Sequence, residues 1–330
     1  MLQSIDQLFE QFRTLKVGVI GDVMLDSYMW GHVDRISPEA PVPVVLLDRK
    51  EYRLGGAANV ALNLRSLGAP VTLFSVVGAD EEAERLKKML EDQSIQTSGL
   101  IQTNNRITTN KTRIISRNQQ MMRLDSETTR ELNESDTNSL LNAIEEYVTK
   151  EKPGVVILED YNKGVLTGTV IEHVIALCKK HQVITAVDPK RKNFFAYKGV
   201  DIFKPNLKEA KDALNLMGDQ PLSELMPKVH AQLSEELNHL VSFITLSEKG
   251  VFYQQGDDRA IIPSHVRNIS DVSGAGDTVI AVAALVYALT GDAQLMASIS
   301  NIAGGLVCEE VGTVPVNSER LKQECMSLLT

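Results

Sequence analysis

The sequence predicts an α/β protein with a mainly parallel central sheet and helices on both of its faces. Short apolar runs recur along the chain and end in polar residues, as in residues 15–22, 71–80 and 154–161. Stretches with helical periodicity lie between most of them, for example residues 81–92 and 137–150. Such alternation of buried strands with helices is typical of βαβ units, which build a parallel sheet.

Polar residues follow most of these strands, at the edge where parallel sheets bind ligands. Further strands are predicted at residues 183–190, 200–206 and 242–250, and further helices at residues 167–181, 207–216 and 278–290. The polar residues at the strand ends are Asp22, Asp80, Asp160, Asp188, Asn206 and Glu248. Together they indicate a binding rim, although each one taken alone is more typical of a helix N-cap.

Two segments interrupt the alternation, residues 27–53 and residues 106–125. The first contains Pro38, Pro41 and Pro43, and proline is confined to the edges of sheets; the second is rich in Thr, Ile and Arg, which favours strands. We predict one domain over residues 1–330 in which both segments form a small sheet, a lid over the site. Its exposed edges could pair with a second copy, which predicts a homodimer.

Composition excludes several classes of protein. The chain has 330 residues, of which 43% are hydrophobic, and a net charge of −9, so a soluble globular protein is expected and nucleic acid is an unsuitable partner. The three cysteines are far apart, which indicates a reducing compartment and no thiolate metal site. No signal peptide is visible, and the apolar run 278–291 is shorter than the about 20 residues a bilayer requires. A cytoplasmic protein without a membrane partner is therefore expected.

The segment DVSGAGD (271–277), just before a long apolar helix, carries the strongest chemical signal. Backbone N–H groups of Gly274, Ala275 and Gly276 can approach a phosphate at a helix N-terminus and stabilise charge in the transition state. An acid at this place would repel a phosphate, but it is suited to take the proton of a hydroxyl that attacks ATP. Asp277 is therefore predicted to be a general base; the alternative is a glycine turn that Asp277 caps.

Two other nucleotide motifs do not fit this loop. A dinucleotide site would require a third glycine at position 279, which is Val279, and a strand–turn–helix start that the first strand does not provide. The GxxxxGK[ST] phosphate loop is also absent from the sequence. Dehydrogenase and Walker-type functions are thus disfavoured.

Two further features indicate a sugar phosphate as the substrate. The small residues of LGGAANVA (54–61) permit close approach of a ligand, and Asn59 offers donors and acceptors to sugar hydroxyls, although tight helix packing explains them equally well. Residues 104–124 contain basic residues and no acid. The basic residues are Arg106, Lys111, Arg113, Arg117 and Arg123, and Lys163 and Lys190 are weaker candidates at strand ends. They would attract a phosphate, or they keep an edge strand soluble.

These segments carry a family resemblance over essentially the whole chain. DVSGAGDT (271–278) and LGGAANVA resemble the two signature regions of the ribokinase-like, or PfkB, carbohydrate kinases. The segments RISPEAPVPVV (35–45) and SRNQQ (116–120) are similar to the kinase domain of bacterial D-glycero-β-D-manno-heptose-7-phosphate kinases. The resemblance implies a three-layer sandwich with a β-sheet lid, ATP and Mg²⁺ as cofactors, and K⁺ activation.

The resemblance also assigns roles to residues of this chain. Asp277 takes the place of the base; Glu209, in an Asn-x-x-Glu motif, organises magnesium through water, and Asp271 with Ser273 marks the K⁺ loop. Predicted sugar contacts are Asp22, Gly56 and Asn59 with their neighbours Asp26, Gly55 and Asp160, and the basic residues Lys111, Arg113, Arg123 and Lys190. Predicted nucleotide contacts are Asn206, Leu207, Lys208, Glu209, Thr245, Glu248, Gly250 and Asn301.

The resulting hypothesis is phosphorylation of the anomeric hydroxyl of heptose 7-phosphate, for ADP-heptose and lipopolysaccharide synthesis. A PfkB kinase for another sugar, such as a fructose phosphate, and a catalytically silent regulatory protein on the same fold are the alternatives. Some relatives carry a fused nucleotidyltransferase with a His-x-Gly-His motif, which this sequence lacks. We therefore expect a separate nucleotidyltransferase in the pathway, unless the sequence is part of a longer chain.

Overall fold

The computed structural model describes residues 4–117, 119–218, 220–265 and 267–329. Asn118, in the SRNQQ segment of the predicted lid, lies outside the described residues. The helices are α1 (Ile5–Phe12), α2 (Ala57–Ser66), α3 (Glu81–Asp92), α4 (Glu134–Glu151), α5 (Gly168–Lys180), α6 (Leu207–Ala213), α7 (Leu222–Leu237), α8 (Ala275–Thr290), α9 (Ala293–Val307) and α10 (Ser318–Leu329). The strands are β1 (Val17–Gly21), β2 (Val23–Ile36), β3 (Pro43–Gly56), β4 (Val71–Gly78), β5 (Gln96–Thr103), β6 (Thr109–Ser116), β7 (Gln119–Ser126), β8 (Val155–Glu159), β9 (Ile184–Asp188), β10 (Ile202–Phe203), β11 (Val241–Thr245), β12 (Val251–Gln255) and β13 (Asp258–Ile262).

The central sheet has the order β13-β12-β11-β10-β9-β8-β1-β4-β5. All neighbours from β11 to β5 pair in parallel, whereas β12 and β13 extend the sheet antiparallel. Because β1, β4 and β8 are buried along their whole length, they are continuous apolar runs in the sequence. The predicted α/β class with a mainly parallel sheet is therefore confirmed.

Helices cover both faces of this sheet and make a three-layer sandwich. One apolar core lies between the sheet and the face formed by α1, α2, α3, α8, α9 and α10. A second core lies on the opposite face, under α4, α5, α6 and α7. Alternate residues of one strand enter the two cores, as Val19 and Ile20 do in β1.

Helix α8 lies in the first core, and every residue from Asp277 to Tyr287 is buried. This burial explains the long uncharged run that the sequence shows here, since each face of the helix meets apolar neighbours. None of the helices in the described part of the chain combines the length and apolar character needed to cross a bilayer.

The predicted lid is a separate sheet with the strand order β3-β2-β6-β7. Strands β2 and β3 pair antiparallel from Val23–Gly56 out to Ile36–Pro43, and β6 joins β2 in parallel. Strand β2 follows β1 after a single residue, Asp22, so the lid grows directly out of the central sheet. Arg117 does not continue the strand face on which Lys111 and Arg113 lie, because β6 ends at Ser116 and Arg117 has a left-handed backbone (φ 49°).

Candidate active site

The site is built around the N-terminus of α8. Helix α8 begins at Ala275, after Gly274, which has a left-handed backbone (φ 78°). A Cβ at Gly274 would lie 2.9 Å from Asn59 Nδ2, so the loop approaches α2 as closely as only glycine permits. Asp277 lies in the first turn of the helix and is almost completely buried.

Both carboxylate oxygens of Asp277 accept a hydrogen bond from a side chain. Asn59 Nδ2 donates to Oδ2 at 2.7 Å, and Tyr161 Oη donates to Oδ1 at 2.8 Å. Burial raises the pKa of Asp277 to about 6, although these two bonds act in the opposite direction. The carboxylate is thus oriented from two sides and titrates close to neutral pH.

Two more buried carboxylates, of Glu159 and Asp188, lie beside Asp277, and oxygens of the three groups come within 4.8 Å of one another. Asp188 accepts from Lys190 at 3.2 Å and Lys204 at 2.8 Å; burial opposes ionisation of Asp188, but the two ammonium groups outweigh it and lower its pKa. Neither oxygen of Glu159 has a hydrogen-bond partner among the described residues. Burial, followed by the charges of Asp188 and Asp277, raises the pKa of Glu159 well above its usual value.

This acidic cluster does not fit a magnesium ion. Asp188 is already paired with two lysines, and burial disfavours the charged form of Glu159. A Cβ at Gly276 would lie 3.6 Å from Asp188 Oδ2 and 3.7 Å from Lys204 Nζ. Lys204 therefore brings a buried positive charge directly under the glycine loop.

Asp22 organises the loop that carries Tyr161. It is fully buried and accepts from the backbone N–H groups of Tyr161 (2.8 Å), Lys163 (2.9 Å) and Val165 (3.1 Å). Burial raises the pKa of Asp22 in spite of these bonds. Gly56 contacts the backbone of Asp22 so closely that a Cβ there would lie 2.4 Å from the Asp22 carbonyl oxygen.

Two basic residues of the lid, Arg113 and Arg123, form ion pairs with acidic side chains. Arg113 donates to Asp26 at 2.5 Å, and Lys111 lies opposite Asp26 in the pairing of β2 with β6. A Cβ at Gly55 would lie 2.6 Å from Asp26 Oδ2. Arg123 pairs with Asp125 on the exposed strand β7 instead of facing the central sheet.

Asp160 has an internal role in the substrate-free structure. Its carboxylate accepts from Tyr197 Oη and from the backbone N–H of Asn162, both at 2.7 Å. Burial and then the charge of Asp22 raise its pKa to about 6. Asp160 therefore contacts the same loop as Asp22.

The nucleotide candidates gather at the start of α6. Asn206 and Glu209 form a reciprocal capping box, with bonds of 2.8 Å and 2.9 Å to each other's backbone N–H groups. Leu207 and Lys208 open the helix, and Lys208 is exposed. Glu209 also accepts from Lys190 at 2.9 Å, which connects α6 with the cluster around Asp188. Among the strand-end acids and amides, Asp80 and Asn206 are N-caps, whereas Asp22 and Asp188 are not.

The other nucleotide candidates lie farther along the same edge. Thr245 ends β11 and pairs with Asn206 through an isolated bridge. Glu248 lies in a short 3-10 helix (Ser247–Lys249), and Gly250 (φ 93°) would carry a Cβ only 2.0 Å from the Ile262 carbonyl oxygen. Asn301 donates to the Pro263 carbonyl oxygen at 2.9 Å, which ties α9 to the segment after β13.

The loop before α8 is tied to residues 311–313. Asp271 accepts from the N–H and the hydroxyl of Ser273 at 3.0 Å and 2.8 Å, and from the N–H of Gly312 at 2.9 Å. From the lid, Arg53 Nη1 donates to the carbonyl oxygens of Val311 (2.9 Å) and Thr313 (3.3 Å). The Arg53 guanidinium thus already donates hydrogen bonds to two carbonyl oxygens beside the predicted K⁺ loop.

Several residues of the site escaped the sequence analysis. Glu159, Tyr161 and Lys204 lie at or just after the ends of β8 and β10, so the polar strand-end signal covers them. Arg53 had no comparable signal, because its contacts to Val311 and Thr313 are with residues more than 250 positions away.

The arrangement of a buried acid, a glycine loop at a helix N-terminus and a lid can be compared with known proteins. The sequence model of the pfkB family of carbohydrate kinases matches residues 14–320. The chain belongs to this family. It is thus a sugar kinase, as the resemblance implied.

Curated relatives of this kinase include the bifunctional protein HldE of Aliarcobacter butzleri, 39% identical over 94% of the chain, and that of Geobacter sulfurreducens, 37% identical over 96%. The chain spans about 64% of the length of each of these relatives. The identity supports the predicted relationship to heptose kinases.

Solved structures share the fold at low sequence identity. Escherichia coli phosphofructokinase-2 in complex with potassium superposes with a TM-score of 0.79 at 18% identity, over 96% of this chain and 99% of that one. Arabidopsis thaliana ribokinase complexed with ribose and ATP gives 0.73 at 16% identity, over 94% and 99%. The ribokinase-like architecture with its lid is therefore confirmed.

Proposed function

We propose that this kinase transfers the γ-phosphoryl group of ATP to the anomeric hydroxyl of D-glycero-β-D-manno-heptose 7-phosphate, giving the 1,7-bisphosphate. One observation carries the chemistry: Asp277, with a pKa of about 6, lies buried in the first turn of α8 beside the glycine loop. A carboxylate that titrates near the working pH is suited to accept a proton and release it again.

In the proposed step, the anomeric O–H gives its proton to Asp277 while its oxygen forms a bond to the γ-phosphorus. The bond between that phosphorus and the β,γ-bridging oxygen breaks, and ADP leaves with the electron pair. The N–H groups of Gly274, Ala275 and Gly276 lie at the positive end of the α8 dipole, where they would stabilise charge on the transferring group. Closure of the lid would exclude water.

Glu209 fits a magnesium ion held through water. Its two oxygens accept one bond each, from Lys190 and from the Asn206 N–H, and its side chain is 19% exposed, so a hydrated ion can reach it. Magnesium usually keeps several waters and takes one or two carboxylates. Bound with ATP, it would offset the charge of the β- and γ-phosphates. We also propose a K⁺ site at the Asp271 loop, but Arg53 already donates to carbonyl oxygens there, so the unaltered kinase should respond little to K⁺.

Support for a heptose phosphate comes from the RISPEAPVPVV and SRNQQ segments, both in the lid, and from its basic residues. Arg113 and Lys111 lie around Asp26, close to the Gly55–Gly56 turn at the base of the lid. A sugar phosphate would have to compete with Asp26 for Arg113, and a doubly charged phosphate is suited to do so.

The test is ATP consumption with a panel of acceptors: heptose 7-phosphate, fructose 6-phosphate, fructose 1-phosphate, ribose and adenosine. Asp277→Asn serves as the control, because it keeps the shape of the side chain and removes the base. We expect turnover with heptose 7-phosphate alone, and a loss of about 10²- to 10⁴-fold in kcat in the variant.

Each part of the proposal has its own contrary outcome. Preference for a fructose phosphate would refute the heptose assignment and leave the mechanism intact. Turnover that survives in Asp277→Asn would refute the base. Binding of ATP without turnover of any acceptor would support a regulatory protein instead.

We also propose a homodimer through the lid. Its outer strands expose large apolar side chains, namely Leu46, Leu47, Met121, Met122 and Leu124, and β7 is an exposed edge. Such a surface favours pairing with a second copy. Light scattering should give twice the chain mass for the unaltered kinase and the mass of one chain for Met122→Lys. A mass of one chain for the unaltered kinase would refute the dimer. A mass of two chains for Met122→Lys would refute the lid as its interface. A nucleotidyltransferase, on another chain or in a further domain, remains a predicted partner of the pathway.

A further inference from the structure

The hydroxyl of Tyr161 is hydrogen-bonded to the proposed base, Asp277. It donates to Asp277 Oδ1 at 2.8 Å, while Asn59 donates to Oδ2 at 2.7 Å. An acceptor hydroxyl that gives its proton to Asp277 must itself approach one of these two oxygens to hydrogen-bond distance. Each oxygen can accept a further bond, but Asp277 is almost completely buried, so a side chain that covers it has to move when the sugar binds.

The two donors differ in how firmly they are held. Asn59 is fully buried on α2, and its backbone and side-chain oxygens accept from Asn63 at 3.0 Å and 3.3 Å. Tyr161 is only half-buried and lies in the loop after β8. Among the described residues, its hydroxyl is hydrogen-bonded to Asp277 alone. Tyr161 is thus the donor that can leave.

The ring of Tyr161 lies where a sugar would approach. Its backbone N–H donates to Asp22, and a Cβ at Gly56 would lie 3.5 Å from its Cδ2 atom. Lys190 Nζ lies 5.4 Å from the ring centroid on the side of Glu209. The phenol therefore separates the predicted sugar contacts from the base and the nucleotide side.

We propose that Tyr161 is a positioning residue that covers Asp277 in the sugar-free enzyme and is displaced by the acceptor hydroxyl. The inference rests on Asp277 being the base, as proposed above. Its consequence concerns water, the competing acceptor. With Tyr161 on Oδ1, a water cannot approach this buried carboxylate closely enough to give it its proton. It then cannot form the bond to the γ-phosphorus that would release ADP and phosphate.

Charged groups from several elements face Asp277, and the test must separate Tyr161 from them. They are Glu159 at the end of β8, Asp188 and Lys190 at and after the end of β9, and Lys204 after β10. Tyr161→Phe leaves all of them in place and removes one oxygen atom. Its effect on the titration of Asp277 can therefore be assigned to the phenol.

In Tyr161→Phe, hydrolysis of ATP without sugar should rise by about tenfold, since water gains access to the base. The acidic limb of kcat/KM, which reports the free enzyme, should move to higher pH, because the bond from Tyr161 lowers the pKa of Asp277. The limb of kcat, which reports the sugar complex, should not move. Tyr253→Phe is the matched control, because this buried phenol also donates to an aspartate, Asp258, but on β12 and β13.

Two results would overturn the inference: unchanged hydrolysis of ATP in Tyr161→Phe, or equal movement of both pH limbs, which would mean that the bond persists during turnover. Asp277→Asn separates this failure from that of the proposed function, because an active Asp277→Asn enzyme would refute the base itself. If Tyr161→Phe does not fold, a crystal structure of the unaltered kinase with a non-hydrolysable ATP analogue and its sugar decides. The Tyr161–Asp277 distance should then exceed about 3.5 Å, and a retained hydrogen bond would refute displacement.

Discussion

Asn59 Nδ2 donates to Asp277 Oδ2 at 2.7 Å, across 218 positions of the sequence. The bond joins the two signature segments of the chain, one on α2 and one on α8. Asn63 holds Asn59 in place and accepts from the Thr278 hydroxyl and the Val316 N–H, both at 3.0 Å. Asp277, the proposed base, is thus oriented by a buried polar network, and such networks are specific when all members are satisfied.

The first prediction concerns the pH dependence of the unaltered kinase. Asp277 must be ionised to accept a proton, and burial raises its pKa to about 6. We expect kcat/KM to be constant above this pH and to fall about tenfold per unit below it. Rates measured from about pH 5 to about pH 8 test this; a profile that stays flat through pH 6 would contradict the assignment of the base.

Asn59→Ala should shift the acidic limb of the kcat/KM profile, which is the pH range in which kcat/KM falls. The hydrogen bond from Asn59 lowers the pKa of Asp277, so its removal raises that pKa and shifts the limb to higher pH. A hydrogen bond to a charged group contributes about 1.5–3 kcal/mol, which corresponds to about one to two pH units. The pH profile of kcat/KM is the measurement, with thermal melts to verify folding. A limb that stays in place would show that Asn59 does not act on Asp277.

Much of the fold could be predicted because burial on both faces leaves a continuous apolar signal, as in β1, β4 and β8. Strand β5 escaped notice because it lies at the sheet edge with only two of its eight residues buried, and its run QTSGLIQT is mixed in polarity. Asp277 could be singled out as the candidate base because its motif is local. The burial of Lys204 could not be predicted, because a lysine after a strand is expected in solvent. Only its tertiary pairing with Asp188 explains why it is buried.

Gly56→Ala should destabilise the kinase. Gly56 has φ 59° and ψ −136°, a conformation that other residues rarely adopt, and a Cβ there would lie 2.4 Å from the Asp22 carbonyl oxygen. We expect a loss of about 1–3 kcal/mol in the free energy of unfolding from backbone strain. Gly168→Ala is the control, because a Cβ at Gly168 meets no atom within 4 Å. Urea unfolding measures both variants, and equal stabilities would contradict the expected strain.

His239 should make the kinase sensitive to acid. It is buried, and its Nε2 lies 2.6 Å from Ser242 Oγ, which also lies 2.8 Å from His230 Nδ1. Burial, and then His230, lower the pKa of His239 from 6.5 to about 4. The folded state therefore resists protonation, and stability that is complete above pH 6.5 is lost as the pH falls from 6.5 towards 4.

The shift of His239 corresponds to about 3 kcal/mol over that range. His239→Gln should flatten the dependence of unfolding free energy on pH between these limits, because the variant has no group to titrate there. The exposed His181→Gln should leave the slope unchanged. Urea titrations at several pH values measure the slopes, and equal slopes in all three proteins would contradict the role of His239.

Arg53, on β3 of the lid, connects the lid with residues 311–313. Its Nη1 donates to the carbonyl oxygens of Val311 and Thr313, its Nε donates to Glu51 at 2.7 Å, and it lies 5.1 Å from the ring of Tyr28. Gly312, between the two carbonyls, donates to Asp271 of the glycine loop at 2.9 Å. A change at Arg53 is therefore transmitted to the loop that carries the base.

Arg53→Met should lower kcat/KM by about 10- to 100-fold, since charge-assisted hydrogen bonds contribute about 1.5–3 kcal/mol. K⁺ should restore part of the lost activity, because a monovalent cation can take the freed carbonyl oxygens, whereas the unaltered kinase should respond little to K⁺. Arg49→Met is the matched control: Arg49 lies on the same strand over Trp30 at 4.8 Å. Titrating K⁺ against all three proteins decides. If Arg53→Met behaves as Arg49→Met does at every K⁺ concentration, the guanidinium does not hold the catalytic loop.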